Sequence, residues 1–193
     1  MDLGTFDGFW AFELERRGAS VTAIDIDTIP PPDTPLIHRD RMEAEAGGAQ
    51  PGTGFALLKR WFASSAERQS LNVYELSPAA VGGPVDLVFI GALLLHLRDP
   101  VGALERVRAT VRDAGTVVLF EPVDPELTKK LRDQPAARYL AYTTPWTWWY
   151  PNEACLSEWL RTAGFREVTQ KGTTWVDDRD GGRQLLATVH ARP

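Results

Sequence analysis

Cysteine is nearly missing from this chain. Cys155 stands alone, so no internal disulfide can form, and a reducing compartment suits the protein. Long apolar runs are missing too: the longest, VDLVFIGALLLHL, is interrupted by Asp86 and Gly91 and falls short of a membrane span. The first residues lack the basic-then-apolar pattern of a secretory signal. Positive charge is in deficit, with 21 Lys and Arg against 26 Asp and Glu and a net charge of -5. Phosphate neutralisation needs a basic face, so this balance speaks against a nucleic-acid binder. With three histidines and no Cys/His cluster, no metal site is expected. What remains is a cytoplasmic enzyme or binding protein with no membrane contact. Its 193 residues, 44% of them hydrophobic, suffice for a single domain over 1–193 with a proper core.

The residues that are present alternate between strand and helix patterns. After the opening MDLGTFDG, apolar residues from Phe9 to Leu14 suit a helix that ends at Gly18. ASVTAIDID reads as a buried strand. TIPPPDTPLI excludes helix and inner strand through its prolines, and the polar HRDRMEAEAGGAQPGTG reads as a loop or insert. FALLKRWFASSA is helical, SLNVYEL a third strand, and the apolar run after Asp86 a fourth strand covered on both faces. RDPVGALERVRATVRDAG is the clearest helix: Asp99 caps it, Pro100 opens it, Val101, Leu104, Val107 and Val111 form its stripe, and Gly115 stops it. TVVLFEPV is a fifth strand, and 124–150 reads as an irregular aromatic insert. NEACLSEWLRTAGF is a helix capped by Asn152, and FREVTQKG and GRQLLATVHA pair as a hairpin around DDRDGG. The expectation is an α/β fold, a Rossmann-like, doubly wound, mostly parallel sheet with a C-terminal antiparallel hairpin.

Such sheets bind ligands at the carboxyl ends of their strands. The first strand ends at a loop carrying Gly4 and Gly8. Asp25 ends the second about twenty residues later, the spacing at which a carboxylate meets ribose hydroxyls. A carboxylate accepts two hydrogen bonds from a vicinal diol. Asn72 ends the third strand, where its amide either reads an adenine edge or caps the next turn. Gly91 ends the fourth and admits close approach. A nicotinamide enzyme would show a second glycine where Phe6 stands, so that fingerprint fails.

Three stretches, DLGTFDGFWAFELERRGASVTAIDID, VDLVFIGALLLHLRDPVGALERVR and WYPNEACLSEWLRTAGF, resemble class I S-adenosylmethionine-dependent methyltransferases allied to the tRNA wobble-uridine methyltransferase-like group. The resemblance covers nearly the whole chain. It implies S-adenosylmethionine as cofactor, with Asp2, Gly4, Thr5 and Gly8 around its methionine portion, while Phe6 of the same loop either packs against the first helix or covers the cofactor. Asp25 and Ile26 would hold ribose and adenine, Asn72 and Val73 the adenine, and Gly91 would lie beside the sulfonium. It also implies a fuller first strand and a helix before it, so the sequence as it begins reads as truncated there.

Two further features bear on the methyl acceptor. His96 has a near-neutral pKa and serves either as general base or as a brace for the loop into the Asp99 cap. TTPWTWWYPN gathers large aromatics that either plug the core or wall the acceptor site, with Trp146 and Trp149 the acceptor-side candidates. The acidic chain favours a small-molecule acceptor. A tRNA acceptor and a non-catalytic S-adenosylmethionine-binding protein are the alternatives.

Overall fold

The protein alternates β1 (Asp2–Leu3), α1 (Phe9–Arg16), β2 (Thr22–Asp25), α2 (Leu36–Glu45), α3 (Thr53–Trp61), β3 (Glu67–Ser70), β4 (Val85–Gly91), α4 (Pro100–Thr110) and β5 (Val111–Pro122). It continues with α5 (Pro125–Leu131), β6 (Ala137–Tyr139), β7 (Trp149–Pro151), α6 (Glu153–Thr162), β8 (Glu167–Asp177) and β9 (Arg183–Arg192). This computed structural model describes residues 1–48, 50–177 and 181–193. Seven strands form one sheet in the order β3-β2-β1-β4-β5-β9-β8. The first five pair in parallel, whereas β9 runs antiparallel to both β5 and β8. Residues 178–180 of the expected hairpin turn lie outside the described residues.

Period-two alternation sends the two sides of each strand to different covers. Leu3, Ile24, Ile90, Leu119 and Val189 are adjacent in register and face one core, shared with Leu104 and Val107 of α4 and Leu156 and Leu160 of α6. The opposite face carries Asp2, Ala23 and Phe89, covered by α1 and α3. There Trp10 packs on Phe89 with ring centroids 4.4 Å apart, and Phe12 packs on Phe55 at 5.1 Å. β1 is two residues long but central: Met1 O accepts from Phe89 N at 2.9 Å, and Asp2 pairs with Ala23 on one side and Phe89 on the other.

Several elements differ from the sequence expectation. The polar stretch expected as a loop contains α2, including Leu36 and Ile37 from the proline-rich run. It is rich in intrinsic helix formers, but only Met42 is buried, so no apolar stripe announces it. The third strand is Glu67–Ser70, and Asn72 lies beyond it as the cap of a short helical turn over Val73–Glu75. β3 is an edge strand of polar residues, so it shows neither an apolar run nor alternation. α4 stops at Thr110, and Val111 already pairs with Val85 as β5. The expected stop at Gly115 is a position within β5, just before Thr116 resumes pairing with Leu87. The insert expected to be irregular holds α5, capped by Asp124, and the two-stranded β6–β7 ribbon. Among the described residues no helix is long and apolar enough to cross a membrane.

Candidate active site

The carboxyl ends of β1, β2 and β4 bring the first loop, Asp25 and Gly91 to one edge of the sheet. The loop is pinned from below, where Gly4 N and Thr5 N both donate to Ile24 O, at 2.9 and 3.1 Å. Asp2 is buried and turned inward, and its Oδ2 accepts from Thr5 Oγ1 at 2.6 Å. Burial raises the Asp2 pKa, opposed by that hydrogen bond and by one from the Ala11 backbone. Asp2 and Thr5 therefore satisfy each other beneath the loop. Phe6 is thrown outward, with φ +49° and 78% exposure. Gly8 has φ +92°, and a β-carbon there would stand 2.6 Å from the rings of Phe12 and Phe55. Glycine is required at that turn into α1 on both counts.

Asp25 is half-buried, with both carboxylate oxygens aligned. Oδ2 accepts from Phe6 N at 2.6 Å and Oδ1 from Ile26 N at 2.8 Å. Each oxygen keeps a further lone pair. The positive-φ Phe6 thus lays the glycine loop directly against the acid at the end of β2. Asn72 Oδ1 accepts from Tyr74 N at 3.1 Å, its capping role, and Val73 is buried in the main core. A β-carbon on Gly91 would fall 2.9 Å from the Phe89 ring and 3.2 Å from Trp10 Nε1, so packing alone calls for glycine there.

A second set of contacts joins the segments that follow β2, β3, β4 and β5. Trp148 donates from N to Leu95 O at 2.8 Å and from Nε1 to Asp33 O at 2.6 Å. Asp33 Oδ2 accepts from Tyr74 Oη at 2.6 Å and from Arg98 N at 2.8 Å. The Arg98 guanidinium lies 5.1 Å from the centroid of the Trp148 ring. Burial and the neighbouring Asp33 push the Tyr74 pKa well above its usual value. His38 Nε2 meets Ala141 O at 3.2 Å, tying the start of α2 to the same insert.

His96 Nδ1 contacts the Trp146 carbonyl oxygen. A carbonyl only accepts, so Nδ1 carries the hydrogen and Nε2 holds the lone pair. Loss of water around the ring lowers its pKa, against the opposing pull of that carbonyl. The two candidate tryptophans lie apart. Trp146 is 53% exposed beside His96. Trp149 Nε1 donates to Arg98 O at 3.1 Å, and its ring lines a groove with Ala137, Val101 and Trp159.

Besides Asp33, Tyr74 and Arg98, a further residue of this region was not among those the sequence singled out. Glu121, near the end of β5, is 1% exposed, and its Oε1 accepts from Leu93 N at 2.8 Å and Leu94 N at 3.1 Å. Burial pushes its pKa up to about 8. Its only signal in the sequence is an acid closing the otherwise apolar run VVLFEPV.

A methyltransferase domain family model matches residues 1–170. A tRNA U34 carboxymethyltransferase of Tolumonas auensis is 24% identical over 197 residues, covering 96% of this chain and 53% of that protein. The enzyme of the same name from Idiomarina loihiensis is 30% identical over 96 residues, 49% of this chain and 29% of its own. The chain thus spans about half or less of the length of these curated relatives. Among solved structures, the Burkholderia thailandensis 1,6-didemethyltoxoflavin-N1-methyltransferase, with its substrate and S-adenosylhomocysteine bound, superposes with a TM-score of 0.61 at 19% identity, over 99% of this chain and 69% of that one. A complex of DhpI with S-adenosylhomocysteine gives 0.57 at 20% identity, over 100% and 74%. Strand order, glycine loop and family match agree, and the chain belongs to the methyltransferase domain family.

Proposed function

We propose that this protein transfers a methyl group from S-adenosylmethionine to a nucleophilic oxygen, nitrogen or carbon of a small-molecule acceptor in the cytoplasm. The observation that carries the reading is the 2.6 Å hydrogen bond from Phe6 N to Asp25 Oδ2, which fastens the glycine loop to the acid at the end of β2. The donor set suits an adenosyl nucleoside. The aligned Asp25 carboxylate retains lone pairs for a ribose diol, and the exposed Phe6 ring offers apolar surface beside it. Gly4, Gly8 and Ile26 shape the backbone around this point. Asp2 and Thr5 act from below by fixing the loop, and Asn72 and Val73 contribute through the turn that Asn72 caps.

The cofactor supplies an activated methyl group on a sulfonium with a good leaving group. The chain's own task is positioning and exclusion of water. Where the acceptor must lose a proton, His96 takes it at Nε2, since the Trp146 carbonyl holds the hydrogen on Nδ1. Trp146 supplies an exposed ring for the acceptor. The net charge of -5 favours a small molecule, whereas the names of the curated relatives favour tRNA. Calorimetric titration with S-adenosylmethionine, S-adenosylhomocysteine and NAD(H) tests the reading. Binding of the sulfur nucleosides without NAD(H) is expected, and no binding of either nucleoside overturns it. A parallel titration with unmodified tRNA decides between the acceptors.

A further inference from the structure

Leu93, Leu94 and His96 belong to a short helical turn that follows β4, with Leu93 as its cap position and no cap from its own side chain. The first N–H groups of such a turn have no partner within it. Here the missing acceptor comes from another strand: Glu121 of β5 takes both Leu93 N and Leu94 N on one oxygen. A fully buried carboxyl is a costly choice, because an apolar side chain of similar size would avoid its desolvation. Ala187 stands opposite it in register and offers no charge to offset that cost. The acid's effect is therefore local, on the placement of the turn.

That turn touches both halves of the site. The Leu93 side chain lies 3.2 Å from where a β-carbon on Gly4 would stand, against the glycine loop. Leu95 O accepts from Trp148 N, and His96 meets the Trp146 carbonyl, so the other end holds the aromatic insert. Glu121 thus fixes a segment that lies between the cofactor loop and the acceptor wall.

We propose that Glu121 is a positioning residue for methyl transfer, setting the post-β4 turn against the glycine loop by the reach of its carboxyl oxygen rather than by its charge. The proposal rests on the reading that the Gly4–Gly8 loop and Asp25 hold the cofactor. It separates two conservative variants. Glu121→Gln keeps an oxygen at the same reach, whereas Glu121→Asp keeps the acid but withdraws the oxygen by one methylene. Calorimetry with S-adenosylhomocysteine, thermal unfolding and amide NMR of Leu93 and Leu94 make the test. The Gln variant is expected to bind like the parent, and the Asp variant to lose about tenfold in affinity, the scale of one or two hydrogen bonds. In the Asp variant the Leu93 and Leu94 amide shifts should move while the protein stays folded at the assay temperature. Parent-like affinity in the Asp variant overturns the proposal, as does an equal loss in both variants. An Asp25→Ala control keeps the two ideas apart. Unchanged affinity in that control refutes the cofactor site itself. Weakened affinity in the control, together with parent-like affinity in Glu121→Asp, refutes only the role of Glu121.

Discussion

At the residue scale, the candidate site is built by a few polar groups that mostly bond to backbone, with Asp2–Thr5 and Asp33–Tyr74 as side-chain pairs. The place of Asp25 at the end of β2 was legible from the strand pattern that precedes it. Its grip on the loop was not legible, since it depends on Phe6 adopting a positive φ that no pattern announces. Asn72 and Gly91 show the opposite case. Each stands near the expected strand end, yet each also has a local structural task, a cap in one and clearance for Trp10 in the other. Asp25→Ala removes the acceptor of Phe6 N and Ile26 N together with any bond to a ribose. S-adenosylhomocysteine binding is expected to weaken by about 1–3 kcal/mol, the range for lost hydrogen bonds to a charged group. Calorimetry reads this directly, and an unchanged dissociation constant would show that Asp25 does not hold the nucleoside.

At the element scale, legibility followed the apolar pattern. β4, α4 and α6 bury continuous stripes and were located well, with Asp99 and Asn152 correctly placed as caps. α2 and β3 bury almost nothing through their own side chains, so periodicity could not find them. The boundary between α4 and β5 failed for another reason: Val111 fits a helical stripe and a strand equally well, and pairing with Val85 decides it. Asn152 does more than its sequence position suggests. Fully buried, it accepts at Oδ1 from Cys155 N at 2.9 Å and from Ala136 N at 3.1 Å, and it donates from Nδ2 to Gln134 O at 2.8 Å. It therefore couples the start of α6 to the strand-and-turn insert. Asn152→Ala should cost more than an ordinary cap, about 2 kcal/mol or above, because buried backbone groups lose their partners as well. Urea unfolding measures the loss, and a change under ~0.5 kcal/mol would mean that water replaces those bonds.

At the scale of the whole molecule, the mostly parallel sheet and the closing antiparallel pair were readable because strand and helix alternate, although the strand order was not. The closure over the strand ends was not: it depends on Asp33, Tyr74, Arg98 and Trp148 meeting from four separate stretches of chain. Glu121 was hidden for the same reason, and it gives the fold a dependence on pH that ordinary carboxylates do not. Its pKa in the folded protein stands at about 8, against an ordinary value of 4.5. Below pH 4.5 the group is protonated in both states, and its contribution to stability is fully present. As the pH rises toward about 8, the unfolded chain releases this proton while the folded protein keeps it, so stability falls; above that it levels off. Asp2, also raised by burial, acts in the same sense nearer its own range. His96 and His190 have lowered pKa values and act in the opposite sense below their ordinary 6.5, and the Met1 amine, lowered from 8.0 by burial, does so below 8.0. Between 6.5 and about 8 the contribution of Glu121 is therefore the difference between the parent and Glu121→Gln, which has no proton to lose. Urea unfolding across that window should show the parent losing up to ~1.4 kcal/mol more per pH unit than the variant. A decline of equal slope in both proteins would place the titrating group elsewhere.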